Sequence, residues 1–79
     1  MLDTVRIVVR RIFEKHLFEQ NTEELHRKIE KEISEYLDTL DLEGYIIDVK
    51  GEGTSLQLEG RVMIDGDIKS INLRLTDGE

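Results

Sequence analysis

Few residues in this 79-residue chain could do chemistry: two histidines, His16 and His26, eighteen carboxylates and no cysteine. A zinc site needs three or four convergent ligands. His16 and His26 fall on two different helical stretches, with no acidic pair at ligand spacing. They read as surface or helix-end histidines. Without thiols there is no disulfide framework and no thiolate metal site. Glu30, Glu32, Glu35 and Asp38 form one acidic helix face, and Asp65-Gly66-Asp67 resembles a fragment of a calcium loop without its other ligands or closing glutamate. Solvated charge and turn chemistry account for both. No nucleophile elbow, P-loop or dinucleotide fingerprint is present, and no helix follows Gly51-Glu52-Gly53 to offer amides to a phosphate. General acid–base work needs a cleft, and a chain this short buries only ~60% of its unfolded surface. The expectation is a protein with no catalytic residues, metal, cofactor or small-molecule substrate.

The elements that would position these groups follow from periodicity. From Asp3 to about Glu19, Val5, Val8, Val9, Ile12, Phe13 and Leu17 form one stripe at the helical period. The β-branched run Ile7-Val8-Val9 favours strand locally, but four turns of periodicity decide for helix. Gln20-Asn21-Thr22 interrupts the pattern. Asn21 or Thr22 caps a second helix, with Glu23 and Glu24 near its positive end. That helix runs to about Leu40 on a stripe of Leu25, Ile29, Ile33, Tyr36, Leu37 and Leu40. The period then changes. Tyr45–Val49 reads as a strand, Gly51-Glu52-Gly53 as a turn, and Leu56, Leu58, Val62 and Ile64 alternate with Gln57, Glu59, Arg61 and Met63 as a half-buried strand.

Asp65-Gly66 is the strongest short-range signal, because a two-residue type I′ turn needs φ > 0 at both positions. It sets Ile64 opposite Asp67, Val62 opposite Lys69, Gly60 opposite Ile71, Leu58 opposite Leu73 and Leu56 opposite Leu75. Met63 and Ile68 then share the other face. Gly60, with no side chain, marks a bulge or admits a helix side chain. Thr76–Glu79 is a frayed tail. The predicted fold is a single α+β domain, residues 1–79: two N-terminal helices packed on a three-stranded antiparallel β-meander.

Composition bounds the partners. The chain is 38% hydrophobic and 37% charged, a globular balance, with net charge −7. Residues 1–19 carry four basic and three acidic side chains; the other 60 carry seven basic and fifteen acidic. An acidic body disfavours nucleic acid. No apolar run reaches membrane-spanning length, and Met1-Leu2-Asp3 does not open a signal peptide. The expected location is the cytoplasm or a virion interior. What remains is a protein partner or self-association. Candidate surfaces are the unpaired sheet edges, represented by Ile71 and Leu73, and the first helix, where Ile7 and Phe18 sit off the stripe beside Arg10 and Arg11.

At Leu17-Phe18-Glu19-Gln20-Asn21-Thr22 the chain resembles the baseplate wedge (lysozyme-like) family of contractile phage tails, and the related C-terminal domain of the tail sheath. The resemblance runs from about Leu17 to Leu75. It takes in Ile29 and Ile33, Ser55-Leu56-Gln57-Leu58-Glu59, and Ile68 through Leu75. Gln20 stands where that family usually has a proline, and the family's upstream Gly/Arg motif is missing. The resemblance implies a structural subunit without a catalytic site, joined to its neighbours by shared strands, with Phe18, Glu19 and Asn21 as interface residues. Two further readings compete. One is a small acidic adaptor that binds a basic protein through Glu30, Glu32 and Glu35. The other is a designed protein, which the absence of proline and cysteine and the Asp-Gly turn would suit.

Overall fold

A computed structural model describes residues 2–17 and 19–76. Its elements are α1 (Leu2–His16), α2 (Glu23–Leu37), β1 (Gly44–Glu52), β2 (Ser55–Ile64) and β3 (Asp67–Thr76). The fold is α+β, and the three strands form one antiparallel sheet in the order β1-β2-β3.

Both helices cover one face of the sheet, α1 against β3 and α2 against β1. The reason is amphipathicity: α1 buries Val5, Val9 and Phe13, and α2 buries Leu25, Ile29, Ile33 and Leu37. They meet Val49, Leu56, Leu58, Val62 and Ile71 in one core. The opposite sheet face carries no layer among the described residues.

The β2–β3 register is the expected one, from Ile64↔Asp67 through Gly60↔Ile71 to Leu56↔Leu75. Asp65 and Gly66 both have positive φ, 51° and 80°, as a type I′ turn requires. Only the in-register pairing places every buried aliphatic on the helix side; a one-residue slip would turn the set to solvent.

Four boundaries differ from expectation. Helix α1 stops at His16 rather than near Glu19, because the chain tightens there: the amide of Leu17 donates to Glu14 O at 3.4 Å and that of Glu19 to His16 O at 3.1 Å. Helix α2 ends at Leu37; Asp38 caps it, and Thr39 and Leu40 bond back to Tyr36 and Leu37 as single turns. The β1–β2 turn is Gly53-Thr54, so Gly51 and Glu52 are strand residues. Thr76 belongs to β3 and meets Ser55 Oγ at 3.3 Å; the rest of the expected tail lies outside the described residues.

Gly60 marks no bulge, since it pairs continuously with Ile47 and Ile71. A Cβ there would lie 3.2 Å from Ile47 Cγ2 and 3.3 Å from Ile46 O. The glycine makes room for the neighbouring strand β1.

Candidate interaction surfaces

The two sheet edges are not equivalent. Strands joined by a two-residue turn begin on a hydrogen-bonded pair, and inward and outward groups then alternate. On β1 the outward groups include those of Val49. Its N–H donates to Glu30 Oε1 of α2 at 3.0 Å. Helix α2, packed over β1, thus engages one group in the middle of that edge with a carboxylate, while the outward groups of Tyr45, Ile47 and Gly51 carry no such bond among the described residues.

On β3 the same counting from Ile64↔Asp67 turns the groups of Asp67, Lys69, Ile71 and Leu73 towards β2. The outward N–H and C=O groups belong to Ile68, Ser70, Asn72 and Arg74. Among the described residues no hydrogen bond reaches them. Ile68, Ser70, Asn72 and Arg74 are also exposed. Strand β3 therefore offers a bare pairing edge.

The uncovered sheet face is graded along the strands. Cross-strand rows run Lys50–Gln57–Arg74, then Asp48–Glu59–Asn72, then Ile46–Arg61–Ser70, then Gly44–Met63–Ile68. Beyond the basic row lies Glu52–Ser55–Thr76, and from Lys50–Gln57–Arg74 onward the face runs basic, then acidic, then apolar. Ile46 is 75% exposed and Ile68 62%. With Tyr45, Arg61 and Met63 they line a shallow hollow of about 310 Å³.

The interaction candidates read from sequence fall in different environments. Ile7 is 52% exposed, and Arg10 and Arg11 lie beside it on the outward face of α1. Arg10 Nε sits 3.4 Å from Glu14. Ile71 is buried in the core and Leu73 packs against it, so their side chains serve the fold while their neighbours on β3 present the edge. Phe18 lies outside the described residues.

Glu19 and Asn21 both serve internal contacts. His16 is 4% exposed, a helix-end residue as expected but not a surface one. Its Nδ1 bonds Glu19 Oε2 and its Nε2 bonds Glu32 Oε2 at 2.7 Å. Lys15 Nζ reaches the other Glu32 oxygen at 2.9 Å. The hydrogen bond from His16 holds the Glu19 carboxyl below its usual range. Partial burial acts to raise Glu32, but the hydrogen bonds from Lys15 and His16 outweigh it, and that carboxyl also sits low. This cluster fastens the end of α1 to α2.

Asn21 does not cap α2; Thr22 does, accepting from the Leu25 amide at 3.1 Å. The Asn21 side chain spans to the sheet instead. Its Nδ2 donates to Gly53 O at 2.7 Å and Ser55 O at 3.2 Å, and its Oδ1 meets His26 Nε2 at 3.0 Å. Gly51 lies directly beneath: a Cβ there would collide with Asn21 Oδ1 and lie 2.6 Å from His26 Nε2. Asn21 and Gly51, thirty residues apart in the chain, form one latch across the β1–β2 turn.

The acidic face of α2 is largely taken up from within. Glu30 holds Val49 N–H, Glu32 holds His16 and Lys15, and Asp38 accepts from Tyr45 Oη at 2.6 Å. That bond, with some desolvation, pushes the Tyr45 phenol above its usual range. Glu35 stays exposed. Sequence reading missed Glu30 as an edge cover and Gly51 as a contact point, because each acts only across elements distant in sequence.

Among the described residues there is no grouping of His, Asp and Glu able to hold a metal. No helix is long and apolar enough to cross a membrane. No protein-family profile, curated protein or solved structure matches the chain.

Proposed function

We propose that this protein is a non-catalytic assembly module that receives an extended segment of a neighbouring subunit on the outer edge of β3. The observation that carries this reading is the asymmetry of the edges. Glu30 occupies the outward N–H of Val49 on β1, while Ile68, Ser70, Asn72 and Arg74 on β3 offer outward groups with no such cover among the described residues. Main-chain pairing supplies affinity in such contacts, and alternate side chains supply selectivity. Here the apolar corner at Ile68 and Met63 adjoins the edge, so an incoming strand with an aliphatic residue beside Ile68 fits best.

The specific form of this reading is a contractile-tail baseplate or sheath subunit. It draws on the resemblance from Leu17 to Leu75, which implies strands shared between neighbouring subunits. The adaptor reading gains nothing from the geometry, since Glu30 and Glu32 already hold internal partners.

A synthetic peptide of the chain's own β3 sequence, residues 67–76, tests strand addition. Binding should slow hydrogen exchange at the Ser70 and Asn72 amides, and Asn72→Pro should abolish the effect. Unchanged exchange at both amides under saturating peptide would overturn the reading.

A further inference from the structure

The graded sheet face has a counterpart on the same chain. On the outward side of α1, Ile7, Arg10, Arg11 and Glu14 fall at i, i+3, i+4 and i+7, one face of the helix. All four are exposed. Read along the helix, the order is apolar, basic, acidic. Read along β1 from Ile46, the open sheet face is apolar, then acidic at Asp48 and Glu59, then basic at Lys50 and Arg74.

The spacings also agree. Rows on a sheet face lie ~6.8 Å apart, so the acidic and basic rows sit ~7 and ~14 Å from Ile46. At 1.5 Å per residue, Arg10 and Arg11 sit ~5 Å and Glu14 ~10.5 Å from Ile7. Side chains as long as Arg, Glu and Lys absorb the difference. Asp3, one turn and ~6 Å before Ile7, falls level with the next row, Gly44–Met63–Ile68, and meets Arg61 of the Ile46 row only if that long side chain extends along the strand. The intramolecular pairs Arg10–Glu14 at 3.4 Å and Asp48–Lys50 at 3.5 Å are exposed, so each gives up little when it exchanges partners.

We propose that the open sheet face binds α1 of a second copy of this chain, with Ile7 seated against Ile46, Met63 and Ile68. Arg10 and Arg11 meet Asp48 and Glu59, and Glu14 meets Lys50 and Arg74. The two surfaces lie on opposite sides of the molecule, because α1 packs on the covered face of the sheet. The contact is therefore head-to-tail and generates rings or filaments rather than closed pairs. It uses no backbone group of β3 and stands apart from strand addition.

Sedimentation of the purified chain over the micromolar range tests this. The wild type should gain mass with concentration, less so at high salt. Ile7→Glu alone and Ile46→Glu alone should each stay monomeric with unchanged circular dichroism, since both side chains are largely exposed. Mixed together, the two variants should form a 1:1 dimer and stop, because each keeps the surface the other lacks. Ile7→Ser and Ile46→Ser repeat the test if the charged variants misfold. A saturating peptide of residues 67–76, which pairs with the β3 backbone edge, should leave this association unchanged. A wild type that stays monomeric, a mixture that does not dimerise, or association abolished by the peptide of residues 67–76 but kept in Ile7→Glu would each overturn the proposal.

Discussion

Glu30 of α2 accepts the backbone N–H of Val49 in β1 at 3.0 Å, nineteen residues along the chain. A single side chain thereby makes one edge of a three-stranded sheet unlike the other. Edges left bare invite pairing with further chains, and this contact is the reason the proposed strand addition is placed on β3.

Replacing Glu30 with alanine should remove that cover. An amide left without its charged acceptor costs about 1–2 kcal/mol, readable as a lower urea midpoint with unchanged slope. The same variant should become more prone to concentration-dependent association, now through β1.

Proline substitution along β3 should separate fold from edge. Ile71 faces Gly60 and its N–H belongs to the ladder with β2. Ile71→Pro should cost about 3 kcal/mol or more, seen as loss of the cooperative unfolding transition. Asn72, whose N–H points outward, should tolerate proline with a near-native melting curve.

The Asn21 latch predicts a steep dependence on the residue beneath it. Gly51→Ala forces a Cβ into Asn21 and His26 and should destabilise by about 1–3 kcal/mol. Gly44→Ala, with nothing within 4 Å of its Cβ, should shift stability far less. Thermal unfolding of the two variants side by side reads the contrast.

Acid should loosen the junction of α1 and α2 first. The hydrogen bond from His16 holds Glu19, and against the opposing effect of burial the hydrogen bonds from Lys15 and His16 hold Glu32, below the usual carboxylate range in the folded state. A depressed folded value means the unfolded chain binds protons more readily, so this stabilisation is complete above about pH 4.5 and is lost as pH falls through the lower folded values. A thermal-melt series from pH 6 to pH 3 should show a decline that His16→Gln flattens.

Local pattern was enough to define the elements. The i, i+3, i+4 stripe of Val5, Val9 and Phe13, the alternation of Leu56, Leu58 and Val62, and the Asp65-Gly66 turn depend on neighbours within one turn or one hairpin. The β2–β3 register followed from counting outward from that turn. Helix ends were less legible. His16 and Asp38 stop α1 and α2 through capping and turn bonds that compete with continued periodicity. The resemblance phrase Leu17–Thr22 drew attention to Glu19 and Asn21 as contact residues, and in the fold both hold the chain to itself.

The amino-acid order by itself determined the helix–helix–meander succession, the pairing register of the hairpin and the side chains that make the core, because each is set by spacing along a single element. Which edge of the sheet stays bare, which carboxylates are already engaged, and that Ile46, Met63 and Ile68 form one exposed corner were decided only in the tertiary structure. Those features depend on where α2 lies over β1 and on cross-strand neighbours. A carboxylate such as Glu30 is indistinguishable from Glu35 until a strand amide is brought within 3.0 Å of it.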